Sequence, residues 1–176
     1  SNLHKSPVYP ILHVDIIIYA NWLAKTNDII LHAAGISKEG RGYCFVGASG
    51  SGKSTLAAHL YTMPDIQVLG EDQVVLRYLD GQFWIFGTPW HENPEMCTSD
   101  WAPLERIFFL NRNAALDLER LSAPDGITRI LQTAFIPYYR TEVMPGILER
   151  LSLLAEHIPF FALRYELGSN VSELIF

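Results

Sequence analysis

Cysteine is nearly missing from this chain. There are two in 176 residues, Cys44 and Cys97, too few for a disulfide framework or a zinc site. Cys44 falls in an apolar stretch and reads as a small core residue. Charge is also sparse, at 18% of residues, and positive charge is the scarcer sign, with 13 Lys and Arg against 19 Asp and Glu for a net charge of −6. That balance argues against a nucleic-acid-binding surface. Long apolar runs are absent too. The richest one, around Ile16, is interrupted by His13, Asp15 and Asn21, so no membrane span is expected. No signal peptide, repeat or low-complexity tract is visible. The chain does not begin with Met, and Ser1-Asn2 reads as an expression remnant, which is compatible with a fragment of a longer protein. What is present is a hydrophobic fraction of 49%, enough to build a real core in one globular domain over 1–176.

Glycine is concentrated where it carries chemistry. Gly47-Ala48-Ser49-Gly50-Ser51-Gly52-Lys53-Ser54-Thr55 satisfies G-x-x-x-x-G-K-[ST] at every fixed position. In such a loop the backbone curls so that successive N–H groups face a polyphosphate, and the glycines let the backbone approach. A helix begins at the loop with its positive end toward the anion. Lys53 then reaches the β- and γ-phosphates, and the Ser54 hydroxyl can ligate Mg²⁺. The flanks suit the motif: Tyr43-Cys44-Phe45-Val46 reads as a buried strand and Leu56-Ala57-Ala58-His59-Leu60 as a helix. A nucleotide site together with free thiols points to the cytoplasm.

The pattern around the motif predicts an α/β domain. A helix is favoured from about Val14 to Lys25. Asp28 to Ile36 reads as a strand, Lys38-Glu39-Gly40-Arg41 as a turn and Gly42 to Val46 as the next strand, so a hairpin leads into the loop. A helix from Lys53 to about Thr62 is followed by a strand at 66–70. The strands 73–79 and 82–86 flank an Asp80-Gly81 hairpin turn. A Pro-containing loop covers 88–102, and Arg106 to Leu110 reads as a buried strand. The nucleotide-binding core is thus expected over about 29–111. A helical part over about 112–176 follows, with helices opening near Pro124 and Pro145 and a closing strand over 160–165.

Phosphoryl chemistry also needs an acidic group for Mg²⁺ and a base. Glu71-Asp72 follows the first strand after the loop's helix. A right-handed crossover would set that strand parallel to the loop's strand and open its end onto the phosphates. His32 is subtler. If Glu39-Gly40 is the hairpin turn, Lys38 pairs with Arg41 and His32 falls opposite Gly47. Trp90, His91 and Glu92 lie on a loop after a strand, where substrate contacts concentrate. Arg41, Arg77, Arg106, Arg129 and Arg140 could each bring positive charge to a transition state, and the sequence does not choose among them.

Three pieces together resemble the catalytic domain of the HPr kinase/phosphorylase family: Leu31-His32-Ala33-Ala34-Gly35, Gly47 to Thr55, and Leu69-Gly70-Glu71-Asp72-Gln73-Val74. The resemblance covers roughly Ile29 to Leu79. It implies the nucleotide-binding architecture shared with phosphoenolpyruvate carboxykinases, a mixed sheet with a hairpin leading into the P-loop strand. It also implies that Lys53 binds phosphates, that Ser54 and Asp72 hold Mg²⁺, that Asp72 acts in catalysis and that His32 lines the site. Glu71 stands where the family has the first of two aspartates. The glycine-rich stretch and basic loop with which that family engages its phosphocarrier protein have no counterpart here.

The function these observations imply is ATP- and Mg²⁺-dependent transfer of a phosphoryl group to a hydroxyl, foremost a serine on a protein or peptide. Glu71 or Asp72 would take the hydroxyl proton, while Lys53 and His32 line the reacting groups. The alternatives are a nucleotide-hydrolysing or nucleotide-sensing regulatory module and a small-molecule kinase. A homo-oligomer is compatible with the resemblance, but no interface signature is visible.

Overall fold

The computed structural model describes residues 12–176 apart from 91, 92, 94, 97, 113, 114, 167 and 168, with side chains described from 14 onward. Ser1-Asn2, His91, Glu92 and Cys97 therefore lie outside the described residues. The chain opens with α1 (Leu12–Leu23) and one 3-10 turn, then runs through β1 (Ile29–Lys38), β2 (Arg41–Val46), α2 (Lys53–Tyr61), β3 (Ile66–Gly70), β4 (Gln73–Leu79), β5 (Gln82–Gly87) and β6 (Trp101–Arg112). It continues with β7 (Asp117–Arg120), α3 (Ala123–Thr133), α4 (Met144–His157), β8 (Phe160–Tyr165) and α5 (Ser172–Ile175).

The two tight hairpins fall where the turn residues put them. Glu39 and Gly40 have φ of 51° and 75°, and Asp80 and Gly81 have 50° and 85°. Left-handed backbone at both central residues matches the twist of the flanking strands. The first hairpin pairs Lys38 with Arg41 and Ala33 with Val46, and the same register carried one step further sets His32 of β1 opposite Gly47. β3 runs antiparallel to β1, as β2 does. It is therefore parallel in direction to β2, with β1 between them.

The sheet is mixed α/β in character and mostly antiparallel. Its eight strands follow the order β2-β1-β4-β5-β6-β8-β7, with β3 attached to β1. Closure comes from β6, which runs seven residues beyond the buried stretch that its apolar pattern suggests. Its first residues pair antiparallel with β5 (Phe86 with Trp101, Trp84 with Pro103). Its later residues run parallel to β2 (Cys44 with Ile107, Val46 with Phe109). Strands β2, β1, β4, β5 and β6 thus form a ring. The expected loop over 88–102 ends earlier, at Asp100, because the β5 pairing recruits Trp101 and Ala102 into β6. The short polar β7 pairs with β8 and has no signature of alternating hydrophobicity.

Helix α2 covers one face of the sheet, where Leu56, Ala57 and Leu60 pack on Ala34, Phe45, Val68 and Phe108. Helices α3 and α4 cover the other, placing Ile130, Ile147, Leu151 and Leu154 with Leu31, Cys44, Ile85 and Ile107. Cys44 is fully buried, and burial pushes its thiol well above the ordinary range. It is a core residue, inert as a nucleophile.

Ring closure depends on two missing side chains. A Cβ on Gly35 would stand 2.7 Å from Ile85 Cδ1. One on Gly42 would lie inside van der Waals contact of Ile85 Cγ2 and 2.9 Å from the Pro103 carbonyl oxygen. The Pro103 backbone cannot yield without disturbing the β5–β6 pairing. Gly42→Ala is expected to destabilise the fold by about 1–3 kcal/mol through overpacking. Chemical denaturation checks this, and an unchanged midpoint would show that the ring accommodates the methyl group.

Candidate functional site

The loop between β2 and α2 is built on left-handed glycines, with φ of 79° at Gly50 and 94° at Gly52. Gly52 is the N-cap residue of α2 and offers no side-chain cap. The first N–H groups of α2 are therefore left without a side-chain acceptor, as an anion site requires. A Cβ on Gly52 would meet the Tyr165 hydroxyl at 2.5 Å and Arg112 Cδ at 3.4 Å, so the ends of β8 and β6 press directly on the loop. The Tyr165 hydroxyl lies 3.3 Å from both the Ser51 and Gly52 carbonyl oxygens, to which it can donate.

Lys53 is buried and points back along the loop. Its Nζ donates to the Gly47 carbonyl oxygen at 2.8 Å and the Ala48 carbonyl oxygen at 3.2 Å, and to His32 Nε2 at 2.9 Å. An ammonium group only donates, so Nε2 must be the accepting nitrogen and the ring proton sits on Nδ1. Nδ1 in turn lies 3.1 Å from Asp72 Oδ1 and 3.1 Å from the Asp72 carbonyl oxygen. A chain of contacts thus runs Lys53–His32–Asp72. The His32 hydrogen bond holds the Asp72 carboxyl below the usual carboxylate range, helped by Lys53 against the opposing effect of burial. Burial lowers the Lys53 pKa, which Asp72 only partly offsets.

These groups line a polar pocket of about 200 Å³ formed by His32, Ser49, Gly50, Gly52, Lys53, Ser54, Thr55, Asp72 and Arg112. Arg112 is the residue that sequence reasoning missed. It ends β6, three residues beyond the buried run 107–109, and the parallel pairing of β6 with β2 brings it to the loop. Its Nε is buried without a partner, and so is Ser51 Oγ. Among the described residues, these are two of the three buried side-chain polar atoms that lack one. Buried polar atoms at a concave, glycine-lined loop are suited to a polar ligand.

A second cavity, of about 510 Å³, adjoins the first. Its walls are His32, Val46, Gly47, Ala48, Ser49, Phe109 and Leu110, with Arg129 and residues 132–135 of and after α3. His32 and Ser49 belong to both cavities.

The remaining expected site residues are placed differently. Glu71 is fully buried, and its carboxylate accepts from the backbone N–H of Asn93 and, at 3.1 Å, from Asn93 Nδ2. It lines neither cavity. Glu71 and Asp72 form the bend between β3 and β4, and its path sends their carboxylates to different partners. Trp90 donates from Nε1 to Asp15 at 2.9 Å and meets Tyr19 edge-on, tying its loop to α1. Of the five arginines considered, Arg77 pairs with buried Asp28, Arg106 donates to the Ile175 carbonyl oxygen and Arg140 pairs with Glu142. Arg41 lies exposed at the start of β2. Arg129 alone borders a cavity beside the loop.

Among the described residues, no group of three or more His, Cys, Asp or Glu side chains could hold a metal ion. No helix there is long and apolar enough to cross a membrane.

No protein-family model matches the sequence, and no curated protein matches it. Among solved structures, the HPr(Ser) kinase/phosphatase from Coxiella burnetii is similar in fold, with a TM-score of 0.47 at 13% identity over 83% of this chain and 85% of that one.

Proposed function

We propose that this chain is a kinase of the HPr-kinase-like type, which uses Mg²⁺ and ATP to phosphorylate a hydroxyl, foremost a serine on a protein or peptide. One observation carries the reading. A glycine loop that matches the phosphate-binding motif throughout shares its pocket with Lys53, Asp72, His32 and Arg112, whose buried Nε has no hydrogen-bond partner.

In this reading the loop N–H groups and Lys53 hold the β- and γ-phosphates. Arg112 reaches the same anion from the end of β6. The Ser54 and Asp72 side chains both border the pocket, and two oxygen ligands completed by phosphates and water suit Mg²⁺. The ion would supply charge neutralisation between the β- and γ-phosphates. As Lys53 moves onto phosphate it releases His32 Nε2, while Asp72 keeps the ring proton on Nδ1. The acceptor oxygen bonds to the γ-phosphorus as the bond to the β-phosphate oxygen breaks. ADP departs, and the hydroxyl proton passes to His32 Nε2. Glu71 takes no part and anchors Asn93 instead.

Incubation with γ-labelled ATP, Mg²⁺ and host lysate tests the proposal. Label on one discrete protein or peptide supports it, and label only in free phosphate overturns it in favour of a hydrolysing module.

Lys53 also makes nucleotide binding depend on pH. Burial lowers its pKa in the empty site, and a bound polyphosphate favours the charged form and raises it again. Binding is therefore expected to take up protons between that lowered value and about 10.4, the ordinary lysine value. Affinity should fall as pH rises through the same window. Calorimetry at several pH values up to about 10.4, each in two buffers of different ionisation enthalpy, reads the uptake, and equal heats throughout would remove Lys53 from the phosphate contact.

A further inference from the structure

We infer that the 510 Å³ cavity beside the loop is the acceptor site, and that it takes a seryl peptide with apolar neighbours and one carboxylate. This rests on the phosphoryl-transfer reading above. Its position follows from the direction in which a polyphosphate must lie. The motif lysine marks the β,γ end, and Lys53 Nζ sits against Gly47, Ala48 and His32. The same three residues wall the larger cavity. At the other end of the motif, Thr55 borders a separate hollow of about 120 Å³ with His59, Tyr165 and Glu166, which leaves the nucleoside that exit. A hydroxyl that attacks the γ-phosphorus must then come from the cavity at the Gly47 side.

The lining indicates what carries that hydroxyl. A serine side chain alone would leave most of 510 Å³ unfilled, and Val46, Phe109, Leu110 and Phe135 give the remainder apolar walls. Water left there would be poorly bonded, so an apolar neighbour of the serine fills the space better. The charged or chargeable side chains on the lining are Arg129 and His32, with no carboxylate among them. Arg129 is exposed on α3 and lies over the Phe109 ring at 5.6 Å, and it has no acidic partner among the described residues. A carboxylate near the serine in the peptide would meet it. The chain's net charge of −6 opposes a longer acidic run by repulsion.

Three synthetic peptides test the inference with γ-labelled ATP and Mg²⁺. The first carries Leu-Ser-Leu-Glu, the second has Lys in place of Glu, and the third has Gly in place of both Leu. For the natural chain, kcat/KM is expected to favour the first over the second by about fivefold and over the third by about tenfold. Arg129→Glu should reverse the Glu-over-Lys order, with fluorescent ATP analogue affinity unchanged, because Arg129 borders no part of the polar pocket. The same peptide order in both proteins would overturn the inference, as would transfer to no peptide by a protein that binds the analogue. A chain that does not bind the analogue at all would overturn both this inference and the kinase reading beneath it.

Discussion

Lys53→Ala is expected to give a folded protein whose phosphoryl transfer falls by about 10²–10³-fold or more, the loss that follows removal of one preorganised donor to transition-state charge. The discrete labelled product in lysate should vanish with it. Folding should not suffer, for a physical reason. Burial disfavours the charged form of Lys53, so the empty protein holds its ammonium at a disadvantage. The three groups it leaves are Gly47 O, Ala48 O and His32 Nε2. All of them border cavities that water can enter. The melting temperature should therefore stay level or rise while activity disappears. Near-natural turnover in this variant would remove the loop from the mechanism.

Asp72→Asn should have the other large effect, a fall in kcat of about 10³–10⁴-fold, the range seen when an aspartate that orients a catalytic histidine becomes an amide. Two functions are lost together. The amide is a poorer ligand for Mg²⁺, and it lacks the negative charge that favours the imidazolium formed when His32 takes the proton, although the backbone carbonyl oxygen at that position still accepts from Nδ1. Nucleotide affinity should change far less, because the loop N–H groups and Lys53 remain. The pH behaviour of the natural chain runs the same way. The His32 hydrogen bond lowers the Asp72 pKa, so the carboxylate's contribution to the fold is complete above about pH 3.9. It is lost only as pH falls through the depressed value. Single-turnover rates alongside fluorescent-nucleotide binding separate the two roles. A kcat within tenfold of the natural chain would make Asp72 structural.

The parts of this architecture legible in the sequence are those set by local chemistry. Glu39-Gly40 and Asp80-Gly81 specify two hairpins because left-handed backbone at both central positions is demanded there, and the first fixes the register that brings His32 to Gly47. The short strand before Glu71-Asp72 and the helix after Gly52 are local too. Pairings made over long sequence separations were not legible. Nothing in the residues of β2 or β6 announces that they run side by side, yet that pairing closes the ring and carries Arg112 to the loop. The acidic pair shows a second limit. Both carboxylates sit at the right place along the chain, but only the path of the bend between β3 and β4 decides that Asp72 borders the pocket while Glu71 bonds to Asn93. For Trp90 the pattern of an aromatic on a loop was compatible with either substrate contact or anchoring, and its bond to Asp15 shows the anchoring.

On the proposed reading, the resting position of Lys53 would set a condition on what the site admits. With every ammonium proton engaged inside the chain, an incoming anion must offer more than those partners before the lysine will leave them. On that reading, a linear polyphosphate would meet the loop amides, Arg112 and Lys53 at once, and its charge would relieve the cost that burial places on the ammonium. A monovalent anion such as chloride would offer the same lysine one contact in exchange for three.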